Sequence, residues 1–215
     1  MPFLGYPTFL TGWVGEPSAF RLQPGCDPRH TLPKAGGYNN NMIQPLPLFW
    51  QRYSCRRFLN TPVPPDFLES ILEAARWAPS AGNLQPWRFF LVKNREIQRG
   101  LAQAAYGQEF VLEAPAVIVV CALPEVSAKK YGERGRSLYC LQDSAAAVQN
   151  ILLEAVRLGL ASCWVGAFQE SAAAQVLGLP SGERPVAIVP LGYPGEPMPQ
   201  ERPRAPLEKI VRRIE

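Results

Sequence analysis

Seven consecutive apolar residues, Ala116-Val117-Ile118-Val119-Val120-Cys121-Ala122, stand between Pro115 and Pro124. A run of this length, rich in β-branched residues and bounded by proline, is a buried strand. It has no polar side to turn toward water, so the rest of the chain must cover it on both faces. Residues 87–92, 161–165 and 185–191 are three further runs of strand length. Between them lie helical patterns. Phe67, Leu68, Ile71, Leu72, Ala75 and Ala78 recur at helical spacing after Pro64-Pro65-Asp66, which starts a helix, and Pro79 ends it. Asn94 is placed to cap a helix reaching about Ala105. Residues 138–158 form the longest helical pattern, apolar around most of its circumference and closed by Gly159. Its run Ser144-Ala145-Ala146-Ala147 lets another backbone approach closely, as in a central core helix or at a subunit interface. Shorter helices are expected over 171–177 and 207–214. Alternating helices and strands predict a sheet with helices on both faces.

Residues 1–45 break this rhythm. They are rich in Pro and Gly, contain Asn39-Asn40-Asn41 and show no sustained period, which reads as an irregular arm. Phe3, Tyr6, Phe9, Trp13 and Phe20 are more aromatics than a free tail carries. An arm packed over a body or a partner subunit is therefore expected, the alternative being a disordered leader. The expected division is an arm, 1–45, followed by one folded domain, 46–215.

A net charge of +4 over 215 residues is too dilute for a nucleic-acid surface, and no block of five like charges occurs. Any arginines that matter must act locally. With His30 the single histidine, zinc sites that need His ligands, Ser-His-Asp triads and Cys-His pairs lack raw material. No metal is expected. Cys26, Cys55, Cys121, Cys140 and Cys163 form no C-x-x-C pair and are odd in number, as expected for reduced thiols of a cytoplasmic protein. The first thirty residues lack the pattern of a secretion signal, and no window approaches the length of a membrane span, so neither export nor a membrane partner is expected. Neither a G-x-G-x-x-G fingerprint nor a P-loop is present.

Four constellations could carry chemistry. If residues 52–56 are extended, Arg52, Ser54 and Arg56 point one way and Tyr53 and Cys55 the other. Two guanidiniums with a hydroxyl between them match a phosphate dianion, the alternative being a solvated basic turn. The stretch from Ala78 to Trp87 (APSAGNLQPW) interleaves Ser80, Asn83 and Gln85 with small residues, between Pro79 and Pro86. Neutral donors and acceptors of this kind suit a planar heterocycle and suit RNA poorly; a plain polar loop is the alternative. Trp164-Val165-Gly166-Ala167-Phe168 ends a strand in small residues, which lets backbone N–H groups approach a ligand. Arg202-Pro203-Arg204 adds a second pair of spaced arginines, with a bland surface role equally open.

Taken in this order, the four elements resemble the nitroreductase family of FMN-dependent oxidoreductases. The same pattern includes Phe58, Gln142-Asp143 opening the long helix, Leu191-Gly192-Tyr193-Pro194, and Pro206-Leu207 after Arg204, and it covers about residues 46–215. The resemblance implies an α/β (α+β) three-layer sandwich: a central mixed, mostly antiparallel sheet flanked by helices, in an intertwined homodimer with FMN at the subunit interface. It implies that Arg52, Ser54 and Arg56 bind the FMN phosphate and ribityl chain, with Arg202 and Arg204 at the same site. Pro79, Ser80, Asn83 and Gln85 would come from the other subunit to the flavin ring, and Gly166 and Ala167 would present backbone N–H groups to it. Gln108 is a further contact to test.

The activity implied is ping-pong hydride transfer from NAD(P)H to flavin N5 and then to a nitroaromatic, a quinone or a similar planar acceptor. No side chain is assigned a catalytic role, because the cofactor carries the chemistry. Residues 126–138, with Lys129, Lys130, Tyr131, Arg134 and Arg136, form the expected lid. The alternatives are a specialised flavin enzyme of the same fold, such as a reductive dehalogenase or a flavin-fragmenting enzyme, and a non-catalytic flavin-binding protein whose arm blocks the site.

Overall fold

The computed structural model describes residues 45–215. The expected arm and its aromatic residues, up to residue 44, lie outside the described residues. A single helical turn, α1 (Leu48–Gln51), leads into an extended stretch and then α2 (Pro65–Arg76). The chain continues through β1 (Trp87–Val92), α3 (Arg95–Ala104), α4 (Phe110–Glu113) and β2 (Ala116–Ala122). Next come α5 (Pro124–Arg134), a π turn (Gly135–Tyr139), α6 (Cys140–Arg157) and β3 (Ala161–Ser162). The last elements are α7 (Glu170–Leu177), β4 (Arg184–Gly192) and α8 (Leu207–Ile210).

Helix starts follow their local chemistry. Pro65 occupies the first turn of α2, where its missing N–H is not needed, and Asp66 there and Arg76 in the last turn complement the helix dipole. Asn94 caps α3 by accepting from the N–H groups of Glu96 and Ile97 at 2.9 and 3.1 Å, a contribution of about 1 kcal/mol.

The four strands form one sheet in the order β1-β2-β4-β3, and every named pair is antiparallel. One parallel bridge, Ser54 with Ser162, extends the sheet beyond β3 and makes it mixed, as the resemblance implied. All of β2 is buried, as its composition requires. Ala116, Ile118 and Val120 face Leu68 and Ile71 of α2 and Val148 and Ile151 of α6. Val117, Val119 and Cys121 face the other way, onto a cluster that includes Leu101 of α3, Val111 of α4 and Ala173 of α7. The period of two along one strand thus assigns the two helical layers to opposite faces. β4 carries Pro185 inside the sheet, which is tolerated because the register with β2 shifts between Val120 and Cys121, beside that residue. Cys55, Cys121, Cys140 and Cys163 are all buried free thiols.

Three expectations need correction. The strand over 161–165 is cut to Ala161–Ser162 plus a single bridge from Val165 to Ile188, with Trp164 swinging out to 40% exposure. The long helix begins with the π turn before Cys140, because Gly135 packs directly against the backbone of Ser127. The last helix is one turn, and Leu207, Ile210, Val211 and Ile214 are exposed. An isolated helix this short is not stable without a surface to pack on. No helix of the described residues is long and apolar enough to cross a membrane.

Candidate functional site

The segment after α1 runs extended along the sheet edge and is clamped from two sides. On one side Ser54 bridges Ser162, and the Cys55 N–H donates to the Ser162 carbonyl at 3.1 Å. On the other lies the turn after β4. There the Arg56 N–H donates to Glu196 Oε1 at 2.6 Å, Tyr53 Oη donates to the Glu196 carbonyl at 3.1 Å, and the Gly195 N–H donates to the Arg57 carbonyl at 2.8 Å. A Cβ on Gly195 would stand 3.1 Å from the Phe58 carbonyl carbon, so the close approach uses glycine. The extended path produces the alternation over 53–56, with Cys55 buried and Tyr53 half-buried while Ser54 and Arg56 are exposed; Arg52 is half-buried like Tyr53 and does not follow it.

Arg202 reaches back to this segment from the tail. Its Nη1 donates to the Arg52 carbonyl at 2.6 Å and its Nη2 to the Trp50 carbonyl. Burial, reinforced by the charges of Arg204 and Arg52, holds its pKa below the ordinary arginine value. Three guanidiniums therefore crowd one corner, and a fourth, Arg56, stands near the Phe110 ring, 6.0 Å from its centroid. None of the four has an acidic partner among the ion pairs of the described residues. Close by, burial pushes the Cys163 thiol up while Arg56, Ser54 and Arg52 pull it down, so all three face that sulfur. The buried hydroxyl of Ser162 is left without a hydrogen-bond partner. Clustered guanidiniums of this kind are chemistry suited to an anion.

Gly166 and Ala167 follow the Val165 bridge along the same edge, both exposed, and a Cβ on Gly166 would meet nothing within 4 Å. Gln108 donates to the carbonyls of Ala167 and Ala105 at 3.1 and 2.9 Å. Its amide thus braces this turn.

The loop between α2 and β1 is strained. Gly82, Asn83 and Gln85 have φ of +59, +56 and +51°, so two residues with side chains adopt the left-handed conformation, at about 1–2 kcal/mol each. The strain is held by specific bonds. The Gln85 N–H donates to Ser80 Oγ at 3.0 Å, and Gln85 Nε2 reaches Asn83 Oδ1 at 3.3 Å. The Ala81 N–H donates to Asp143, at 3.1 Å to Oδ1. Asp143, in the first turn of α6, belongs to the Gln142-Asp143 pair of the sequence pattern, where it carried no assigned role, and Glu196 is a support that the sequence pattern does not include. An acid opening a helix is a recognisable signal for the first; nothing local marks the second.

Burial raises the Asp143 carboxyl above the ordinary carboxylate range, against the pull of the Ala81 N–H. A raised folded-state value means that its contribution to stability is present at low pH and is lost as pH rises through that value. Asp143→Asn keeps an oxygen for Ala81 and removes the buried charge. It is expected to be at least as stable as the native chain at about pH 7, with the difference closing toward about pH 4. Thermal unfolding across that range checks it; a variant that loses stability at the higher pH refutes it.

The two groups of residues occupy opposite corners. Trp87, where the strained loop enters β1, pairs with Ala122, whereas Ser162 beside the arginine segment pairs with Leu191, itself opposite Ala116. They are separated by the length of β2, about 20 Å, and by three strand spacings, about 14 Å. Within one chain, therefore, the two groups of expected residues do not face each other. A cleft of about 270 Å³ is lined by Leu141, Ala145, Val148, Trp164, Val186 and the Glu170–Arg184 pair; of the four candidate stretches it takes in only Trp164. Among the described residues no group of His, Cys, Asp and Glu is arranged to hold a metal.

A sequence model described as Nitroreductase family matches residues 50–109 and 103–193. An NADH dehydrogenase of Thermus thermophilus is 36% identical over 189 residues, spanning 75% of this chain and 91% of that protein. An iodotyrosine deiodinase of Haliscomenobacter hydrossis is 28% identical over 202 residues, spanning 79% of this chain and 85% of that protein. Among solved structures, the NADPH:FMN oxidoreductase from Vibrio harveyi complexed with NAD+ superposes with a TM-score of 0.71 at 26% identity, covering 78% of this chain and 76% of that one.

Proposed function

The chain belongs to the nitroreductase family and is a nitroreductase-type oxidoreductase, and from that premise we propose that it is an FMN-dependent, NAD(P)H-driven reductase of nitroaromatic, quinone or similar planar acceptors, working as a homodimer. The observation that carries this reading is the placement of two groups of residues at opposite corners of one sheet: four arginines without an ion-pair partner among the described residues, at a corner where the Glu196 carboxylate is held by the Arg56 backbone N–H, and a strained loop of neutral amides. FMN has a phosphate for the first and a flat ring with several hydrogen-bonding positions for the second. Only a second copy can bring the two corners together.

In this reading Arg52, Ser54, Arg56 and Arg204 hold the phosphate and ribityl chain, and Arg202 fixes the Arg52 backbone. Gly166 and Ala167 leave room for the ring to approach their N–H groups. Pro79, Ser80, Asn83 and Gln85 of the second copy close over it, their backbone already held in the required shape by Asp143 and Ser80 Oγ. When bound, FMN supplies two-electron transfer between a nicotinamide and the acceptor, and the protein supplies orientation and electrostatics. The exposed apolar residues Leu207 and Ile210 of α8, with Val211 and Ile214 in the extended stretch after it, are suited to continue onto the second copy.

The test is an absorbance spectrum of the purified full-length protein. Flavin bands are expected, bleached by NADPH or NADH without oxygen; a protein that retains no flavin after reconstitution overturns the proposal. Similarity to a deiodinase favours reductive dehalogenation as the second reading. It gains if flavin is present but no nicotinamide bleaches it.

A further inference from the structure

Helix α5 and the π turn fold back on themselves, and the tip of this hairpin rests on the strained loop. A Cβ on Gly82 would stand 2.6 Å from Tyr131 Oη and 2.7 Å from Lys130 Nζ. The polar ends of two tip residues therefore sit on the loop between Ser80 and Gln85. Glycine at 82 serves both its positive φ and this contact.

The hairpin is braced internally. Arg136 donates from Nε and Nη2 to the two carboxylate oxygens of Glu125, both at 2.9 Å, and from Nη1 to Glu133 at 3.0 Å. Arg134 Nε donates to Tyr139 Oη at 2.9 Å, and Tyr131 packs edge-on against the Tyr139 ring with centroids 5.2 Å apart. Gly132, at φ +57° and ψ −140°, bends the chain beside these residues.

This arrangement divides the charges. Both carboxylates of the hairpin are taken by Arg136, while Lys129 and Lys130 have no acidic partner among the ion pairs of the described residues. Besides the loop, the Lys130 ammonium stands near the Tyr131 ring, 5.4 Å from its centroid. The loop beneath offers only the neutral side chains of Ser80, Asn83 and Gln85. Hydrogen-bond pattern is thus supplied by the loop and positive charge by the tip above it.

We propose that Lys130 is a specificity-determining residue that selects reactants bearing an anionic group, either a carboxylate on the planar acceptor or the extra ribose phosphate of NADPH. This rests on the reading of residues 79–85 as the loop against the flavin ring. An ammonium is a compact point charge that accepts either anion without a fixed geometry, so both sources share one chemistry.

The test is calorimetric binding to the full-length protein and to its Lys130→Ala and Lys130→Arg variants. The probes are para-nitrobenzoate against its neutral amide, and NADP+ against NAD+. The native protein is expected to prefer the more anionic member of at least one pair by roughly tenfold or more, the size of a single charged hydrogen bond. Lys130→Ala is expected to erase that preference and Lys130→Arg to restore most of it. A preference lost in the nitrobenzoate arm assigns the anion to the acceptor, and one lost in the dinucleotide arm assigns it to the reductant. Equal preferences in the native and Lys130→Ala proteins overturn the proposal, as does a native protein that prefers neither anion. Flavin content is read on the same samples, so a colourless protein would count against the flavin reading while the calorimetric comparison still decides on Lys130.

Discussion

Arg56→Ala is expected to weaken FMN retention by about ten- to hundredfold, the worth of one charged hydrogen bond to phosphate, while leaving the unfolding midpoint where it was. The reasoning rests on what Arg56 does within its own chain. Its backbone N–H is bonded to Glu196, which the substitution leaves intact. Its guanidinium has no acidic partner among the described residues and stands 6.0 Å from the centroid of the Phe110 ring, a weak contact at an exposed position. A side chain with so little to do in the fold is available for a ligand. Arg202→Ala should behave differently. Its guanidinium holds the carbonyls of Trp50 and Arg52, so its loss should lower thermal stability along with retention. Flavin-fluorescence titration and thermal unfolding of the two variants separate these roles. Unchanged FMN affinity in Arg56→Ala would remove the phosphate assignment.

The second large effect concerns the division of one site between two chains. A subunit carrying Arg52→Ala and Arg56→Ala lacks the anion corner; one carrying Asn83→Gly and Gln85→Gly lacks the ring corner, while glycine keeps the left-handed backbone there unstrained. Each homodimer is expected to be inactive, since every site in it lacks one half. Mixed and refolded in equal amounts, half of the dimers should be hetero-dimers with one complete site and one doubly broken site. Reductase activity should then recover to about a quarter of native. A mixture as inactive as its components would show that each chain builds its own site, against the corner-to-corner separation of about 20 Å by 14 Å.

How much of this was readable beforehand depends on the range of the interaction concerned. The run from Ala116 to Ala122 reads directly as a buried strand because period and composition are properties of adjacent residues. Asn94 reads as a cap for the same reason, its acceptor lying two and three residues from the donors. The alternation of Ser54 and Arg56 against Tyr53 and Cys55 needed only the assumption of an extended chain. The clamp that makes it extended joins Arg56 to Glu196, 140 positions away, and no local pattern announces it. Asp143 holding the Ala81 N–H, 62 positions away, is of the same kind. The residues over 161–165 are apolar enough for a strand, but the ladder thins after Ser162: Cys163 gives its N–H to the carbonyl of Pro190 at 3.2 Å, Pro190 has no N–H to return, and a bridge forms again only at Val165.

The sequence by itself determined the layers and the chemical character of the candidate segments: an apolar central strand that demands cover on both faces, a stretch of spaced arginines, and a loop of neutral amides. Only the tertiary structure decided where these stand. Sheet order and register place the arginines at one corner and the amide loop at the other, and they bring the tip of α5 down onto Gly82. Strand order arises from pairings between segments far apart in the chain, whose free energy depends on partners and not on either segment alone. A single pass along the residues therefore reads the segments, while their distance from one another follows from the fold.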